Sequence, residues 1–167
     1  DMNNIYFVGN ILIDTLRLSL PNITRPVNFD ILGIKENDYV LLTLNKRDII
    51  NNDEKLKEII NTIINSSSKK IVAPLHSYVK SKIESLGLKS DRLLIIQPQS
   101  YLSFIYAAKN ASAIVTDSGN IAEEATFMNV PCITLDNYTE HNETVTSGTN
   151  LLIGEDYSRI KESMEKI

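Results

Sequence analysis

The run Thr116-Asp117-Ser118-Gly119-Asn120 ends a short apolar segment and leads into Glu123, Glu124 and a helical pattern of apolar residues. Residue types in this order offer two kinds of chemistry. Gly119 lets the backbone come close to a ligand or take a positive φ. Asp117, Ser118 and Asn120 are all potential helix caps, and Asn120 with Glu123 has capping-box spacing. On spacing alone, the stretch reads first as a well-capped helix after a strand. The other reading is an anion site, with free N–H groups and the helix dipole directed at a phosphate. Neither GxxxxGK[ST] nor GxGxxG occurs here. The glutamates fall in the first helical turn on this reading, where the dipole favours a carboxylate, yet a carboxylate repels a phosphate close by. Both demands are met if one glutamate lies deeper and takes hydrogen bonds from sugar hydroxyls while the amides hold phosphate. A ribose diphosphate presents that pairing, so the residues suggest a nucleotide site without a Walker motif.

A second cluster is DNYTEHNETVTSGTNLLIG, residues 136–154, in which Glu140, His141 and Glu143 lie close together. One histidine without a further close ligand makes a poor metal site. Carboxylates that bind hydroxyls, or cap a short helix, fit better. His76 follows an apolar run directly and reads either as a structural hydrogen-bonder or as a phosphate contact. Cys132 is the only cysteine, lies between Pro131 and Ile133, and has no base beside it. It reads as a small buried residue rather than a nucleophile.

These residues need elements to hold them. Tyr39–Leu44 (YVLLTL) is continuously apolar, as in a strand buried on both faces. Asn51, Asn52 and Asp53 start a helix, whose Leu56, Ile59, Ile60, Ile63 and Ile64 fall on one face. IVAPL (Ile71–Leu75) is the next strand, and a helix over Ser77–Leu86 stops at Gly87. LLII (Leu93–Ile96) follows, then a helical face of Tyr101, Phe104, Ile105 and Ala108. SAIVT (Ser112–Thr116), PCITL and NLLIG (Asn150–Gly154) complete about six strands, before a helix carrying Tyr157, Ile160 and Met164. Strands alternating with helices imply crossovers, hence a doubly wound parallel α/β sheet. Ligands of such sheets bind at the carboxyl ends of the strands. Asn45–Asp48, His76, Gln97–Ser100, Thr116–Asn120 and Asp136–Glu143 all fall there.

The chain has 167 residues, enough for one domain with a real core. Its net charge of −4 and lack of a basic stripe argue against a nucleic-acid partner. No run approaches the ~20 apolar residues that cross a bilayer, which argues against a membrane partner. The polar first residues and the short IYFV run do not read as a secretory leader. A lone cysteine suits a reducing compartment. IYFVGN reads as a strand from the outset, and a start at Asp1 leads to the expectation of one piece of a longer protein.

Taken together, these pieces resemble the UDP-N-acetylglucosamine 2-epimerases. TDSGNIAEEATFMNVPCITLDNYTEHNETVTSGTNLLIG is similar to the family's TDSGG-x-x-EEA, VP-C-x-TL and TERPET-V-x-x-GTN-x-L-V-G run. VGNILIDTL, LLTLNKRDIINN, IVAPLHSYVK and QPQSYLSFIY resemble its earlier segments, so nearly the whole chain is covered. The resemblance implies a Rossmann-like UDP-binding domain over residues 1–167, the C-terminal half of a two-domain fold of the glycosyltransferase-B kind, with the N-terminal domain absent. It implies that Ser118 and Gly119 meet the diphosphate, with Asn120 where a second glycine usually stands, and that Glu124 binds the ribose hydroxyls. Phe104 matches a position whose backbone meets uracil, His76 a histidine near the phosphates, and Arg47 an arginine of the active-site region. Glu140, His141 and Glu143 keep places beside the cleft. Asn45 stands where the family has a functional histidine, and an amide does not titrate near neutral pH. His141 replaces an arginine, Asn142 a proline and Ser77 another proline; loss of the guanidinium removes a bidentate phosphate partner.

The implied reaction interconverts UDP-N-acetylglucosamine and UDP-N-acetylmannosamine, through UDP elimination and re-addition, for surface-polysaccharide precursors. The main catalytic acids would lie in the N-terminal domain. The resemblance implies no metal and no nicotinamide, a cytoplasmic location and a homodimeric full-length protein. Three alternatives stand beside it: a non-catalytic or divergent nucleotide-sugar binding module, a hydrolysing variant, and a glycosyltransferase of the same architecture.

Overall fold

The computed structural model describes residues 4–6 and 8–166. Six strands form one sheet: β1 (Tyr39–Thr43), β2 (Lys70–Pro74), β3 (Leu93–Ile96), β4 (Ala113–Thr116), β5 (Cys132–Thr134) and β6 (Asn150–Leu152). Every pairing is parallel, in the order β3-β2-β1-β4-β5-β6. The order reverses between β1 and β4, so the crevice at their carboxyl ends is the topological switch point. Between the strands run α3 (Arg47–Ile50), α4 (Asp53–Ser66), α5 (Ser77–Ser85), α6 (Tyr101–Lys109), α7 (Gly119–Phe127) and α8 (Asn142–Thr146), with α9 (Arg159–Glu165) at the end. Two further helices, α1 (Ile11–Ser19) and α2 (Val27–Ile31), precede the sheet.

The apolar runs form strands because both faces of the sheet are covered. Successive side chains of a strand point to opposite faces. Val40 and Leu42 accordingly join a core layer with Leu56, Ile59 and Ile63 of α4, Val79 and Ile83 of α5, and Ile160 of α9. Tyr39 and Leu41 join the opposite layer with Phe29 of α2, Ala107 and Ala108 of α6, and Ala122 and Ala125 of α7. Each fully buried isoleucine of α4 stabilises by about 1.5–3 kcal/mol relative to an exposed one. Cys132 is fully buried, and burial pushes its thiol up to about 12, which makes it inert as a nucleophile at neutral pH. Gly87 ends α5 at φ +70°, the left-handed conformation that a glycine adopts without steric cost.

The N-terminal segment departs from the sequence expectation. The described residues of IYFVGN form no strand. Ile5, Tyr6 and Val8 are 70%, 78% and 84% exposed. The last residue of the run, Asn10, instead caps α1, its Oδ1 accepting from the Leu12 N–H at 2.9 Å.

Candidate functional site

The crevice between β1 and β4 is built from short polar side chains. Thr43 and Thr116 pair through their hydroxyls at 2.7 Å, fully inside the protein. Thr116 Oγ1 also accepts from the Ser118 N–H at 3.1 Å. Asp117, the next residue, turns its Oδ2 toward the β1 side, where it accepts from the N–H groups of Asn45 and Lys46, both at 2.7 Å. This carboxylate joins the loop after β1 to the start of α7. Asp117 is 4% exposed. Burial raises its pKa, while the bonds from Lys46 and Asn45 act in the opposite direction.

Helix α7 starts at Gly119, with Ser118 as its N-cap residue. Among the described residues, no side chain caps it. The first N–H groups of a helix have no intrahelical partner. Here Gly119 and Asn120 are exposed and present that end to the crevice. By contrast, Asn10 and Asn52 cap α1 and α4 through their side chains. The capping box expected from Asn120 and Glu123 does not form, because Asn120 already lies inside the helix. Glu123 and Glu124 fall in its second turn, and the first turn holds no acid. The helix therefore carries no carboxylate in its own first turn.

The two glutamates are both buried but are held differently. Glu124 is 5% exposed and accepts from the Tyr101 hydroxyl on α6 at 2.8 Å. Burial raises its pKa; the Tyr101 bond lowers it and the charge of Glu123 raises it. Burial, and then the bond to Glu124, raise the pKa of the Tyr101 hydroxyl, which stays a donor. Glu123 is 6% exposed and faces the other flank. It accepts from the Asn10 amide and pairs with His141 Nε2 at 2.9 Å. His141 Nδ1 lies 3.4 Å from Glu143. Ligating atoms of Glu123, His141 and Glu143 come within 4.8 Å of one another. The imidazole bridges the two carboxylates with opposite ring nitrogens, and a single ion is able to use only one of them.

A pocket of about 250 Å³ opens at the amino end of α7, among Lys46, Asp117, Gly119, Asn120, Asp136 and Glu140. Lys46 reaches across it to pair with Asp136, a bond that raises the lysine's pKa. His141 also borders the pocket. Behind it, Thr134 donates to Asn150 Oδ1 at 2.7 Å and Asn150 donates to Thr144 at 3.2 Å, which seats α8 against the sheet. Gly148 packs so closely under the Thr144 carbonyl that an added Cβ would lie 2.4 Å from it.

Of the residues singled out from the sequence, Gly119, Asn120, Glu140 and His141 line one pocket, with Ser118 at its edge as the helix cap. Glu124 sits one turn further into α7. Asn45 is exposed and joins this group through its main-chain N–H. Phe104 lies on α6, partly buried against the second core layer. His76 is the exposed N-cap residue of α5, at the carboxyl end of β2. Arg47 borders a separate groove with Asn51 and Tyr78. Glu143 is exposed on α8. Lys46, Asp117 and Asp136 fall within the strand-end ranges marked from the sequence, where they carried no binding role, and they line the same pocket. Tyr101 reads in the sequence as part of an apolar helical face, and nothing local announces its bond to Glu124.

A family model described as UDP-N-acetylglucosamine 2-epimerase matches residues 1–167. A UDP-N-acetylglucosamine 2-epimerase homolog from Methanococcus maripaludis is 37% identical over 172 residues, covering 98% of this chain and 48% of that protein. The crystal structure of the Methanocaldococcus jannaschii UDP-GlcNAc 2-epimerase in complex with UDP-GlcNAc and UDP is 33% identical, with a TM-score of 0.85 over 99% of this chain and 48% of that one. An E. coli heptosyltransferase, 15% identical with a TM-score of 0.54 over 90% of this chain and 45% of that one, shares the fold alone. The chain spans about half the length of the curated relatives it matches.

Proposed function

This chain belongs to the UDP-N-acetylglucosamine 2-epimerase family, and from that premise we propose that it is the UDP-binding domain of an enzyme interconverting UDP-N-acetylglucosamine and UDP-N-acetylmannosamine. One observation carries the reading. The amino end of α7 is uncapped and free of first-turn acids, and a buried carboxylate, Glu124, is held by Tyr101 one turn further in. Exposed helix amides suit a diphosphate, and a buried carboxylate suits the paired hydroxyls of a ribose. Ser118, Gly119 and Asn120 take the diphosphate, Glu124 the ribose, and the backbone near Phe104 the uracil. Glu140 and His141 face the substrate in the pocket at the α7 amino end, while His76, Glu143 and Arg47, the last in its separate groove, lie outside it.

The reaction starts with removal of the C2 proton and departure of UDP from C1, leaving a glycal. A proton then adds to C2 from the opposite face as UDP re-adds to C1. This domain retains UDP between the two steps, so that the leaving group returns without diffusing away. The acids and bases that move the C2 proton belong to the part of the family's length that this chain does not span. The same reading puts the full-length protein in the cytoplasm as a homodimer that supplies surface-polysaccharide precursors.

Isothermal titration of the chain with UDP tests the proposal. Saturable binding with one site is expected; absence of binding at UDP concentrations on the order of millimolar overturns it. Asn45 favours a second reading, a domain that binds nucleotide sugar without catalysis, since the resembled family has a histidine there. Asn45→His in the full-length protein separates the two, because epimerisation that appears only in the variant supports the non-catalytic reading.

A further inference from the structure

The pocket at the α7 amino end takes half of its lining from one stretch of chain, the loop from Asp136 to His141 between β5 and α8. A charged contact ties down each end of this loop. At the first end Lys46 pairs with Asp136, and the Gly154 N–H donates to the Asp136 carbonyl at 2.9 Å. At the other end the tie is His141. Its Nε2 lies 2.9 Å from Glu123 on α7, and its Nδ1 lies 3.4 Å from Glu143 on α8. The His141 carbonyl accepts from the Thr144 hydroxyl at 2.8 Å, so this residue also holds the start of α8.

The two ties respond differently to pH. A lysine stays charged across the neutral range, and the bond to Asp136 raises the Lys46 pKa further. An imidazole changes charge between about pH 5 and 8. As an imidazolium, His141 presents an N–H to each carboxylate. As a neutral ring it turns a lone pair toward one of them, whichever nitrogen keeps the proton. Glu123 depends on this charge more than Glu143 does, because Glu123 is buried and Glu143 is exposed. Its other contact is the neutral amide of Asn10 from α1. Among the described residues His141 is its one ion-pair partner. A buried carboxylate that loses its cation is costly to keep in place. The other charged groups bordering the pocket are the acids Glu140, Asp117 and Asp136, with Lys46 committed to Asp136.

We infer that His141 is a positioning residue: its imidazolium fastens the pocket-lining loop to α7 through Glu123, its neutral form releases the loop, and nucleotide binding at the α7 amino end weakens as pH rises through the histidine range. This control rests on the proposed UDP site and deepens that reading. The Lys46–Asp136 end of the loop stays fixed over the same range, so the movement is confined to the side that carries Glu140, His141 and the start of α8.

Two measurements test it, each made on the parent and on His141→Arg, which stays charged throughout. The first needs no nucleotide. Hydrogen exchange of residues 137–147 is followed between about pH 5.5 and 8. The ratio of parent to variant protection should fall about fivefold from the acid to the alkaline end, the scale of trading a charge-assisted contact for a neutral one. A constant ratio overturns the inference. The second is UDP affinity by isothermal titration over the same range. The titrations of UDP, Glu124, Asp117 and His76 are common to both proteins and cancel in the comparison. The ratio of parent to variant affinity should also fall about fivefold as pH rises. UDP bound with a constant ratio overturns the inference alone. UDP bound at no pH overturns the proposed function, and the inference falls with it. His141→Gln, neutral at every pH, covers the case in which arginine disturbs the fold. Its protection and UDP affinity should match the parent's only at the alkaline end, and a constant ratio to the parent overturns the inference.

Discussion

Glu123 and Glu124 are neighbours on one helix, both buried, and they face opposite flanks of α7. Glu123 looks toward α1 and α8, where Asn10 and His141 engage it. Glu124 looks toward α6, where Tyr101 donates to one of its oxygens. The first carboxylate joins three elements that are far apart in the chain. The second is braced from one side only, which leaves hydrogen-bonding capacity for a ligand. Burial alone does not tell a structural acid from a binding acid; the number and origin of the donors around it do.

The largest effect expected from this difference is on stability. Glu123→Ala strands Asn10 and His141 together and loosens α1 from α7, at a cost of about 3 kcal/mol. Urea denaturation measures it, and hydrogen exchange should show lost protection in Ile11–Ser19. A loss no larger than that of Glu124→Ala would remove the contrast between the two acids. Next in size, Glu124→Ala should weaken UDP about thirtyfold, as expected for hydrogen bonds to a charged group. Titration of both variants sharpens the comparison, since Glu123→Ala should change affinity by a smaller factor wherever it remains folded.

A pH experiment tests the burial of Glu124. Burial raises the Glu124 pKa above its ordinary value of 4.5, so the folded state binds its proton more tightly than the unfolded chain does. The native stabilisation is therefore present at low pH and is lost as pH rises from about 4.5 through the folded pKa. Glu124→Gln removes that loss. Its melting temperature relative to the parent should climb as pH rises over this window, and a flat difference would count against the raised pKa. Asp117 has the same sign, but it is common to both proteins and cancels. The smallest effect is that of Tyr101→Phe. Loss of one hydroxyl bond to Glu124 should weaken UDP about threefold and cost about 1 kcal/mol of stability.

The sheet was readable because its signal is local. Tyr39–Thr43 is buried along its whole length, so an unbroken apolar run marks it without knowledge of its neighbours. The carboxyl-edge positions followed from the alternation of strands and helices, and Gly119, Asn120, Glu140 and His141 do meet there. The same reasoning failed at Ile5, Tyr6 and Val8, whose side chains stay exposed, and at Asn10, which serves a helix that begins directly after it. It failed again at Asn120 and Glu123, whose capping-box spacing is real but whose helix begins at Gly119. The Glu123 carboxylate is drawn away from the helix terminus by donors on α1 and α8.

By itself the sequence determined the succession of strands and helices, the buried face of each, and the family. All of these rest on periodicity and on contiguous motifs, which are properties of short stretches of chain. Only the tertiary structure decided that Asp117 would reach across to the loop after β1, and that adjacent glutamates would serve different neighbours. Those outcomes depend on which donors the fold brings within about 3 Å. Separation along the chain carries no information about that distance once β1 and β4 lie side by side.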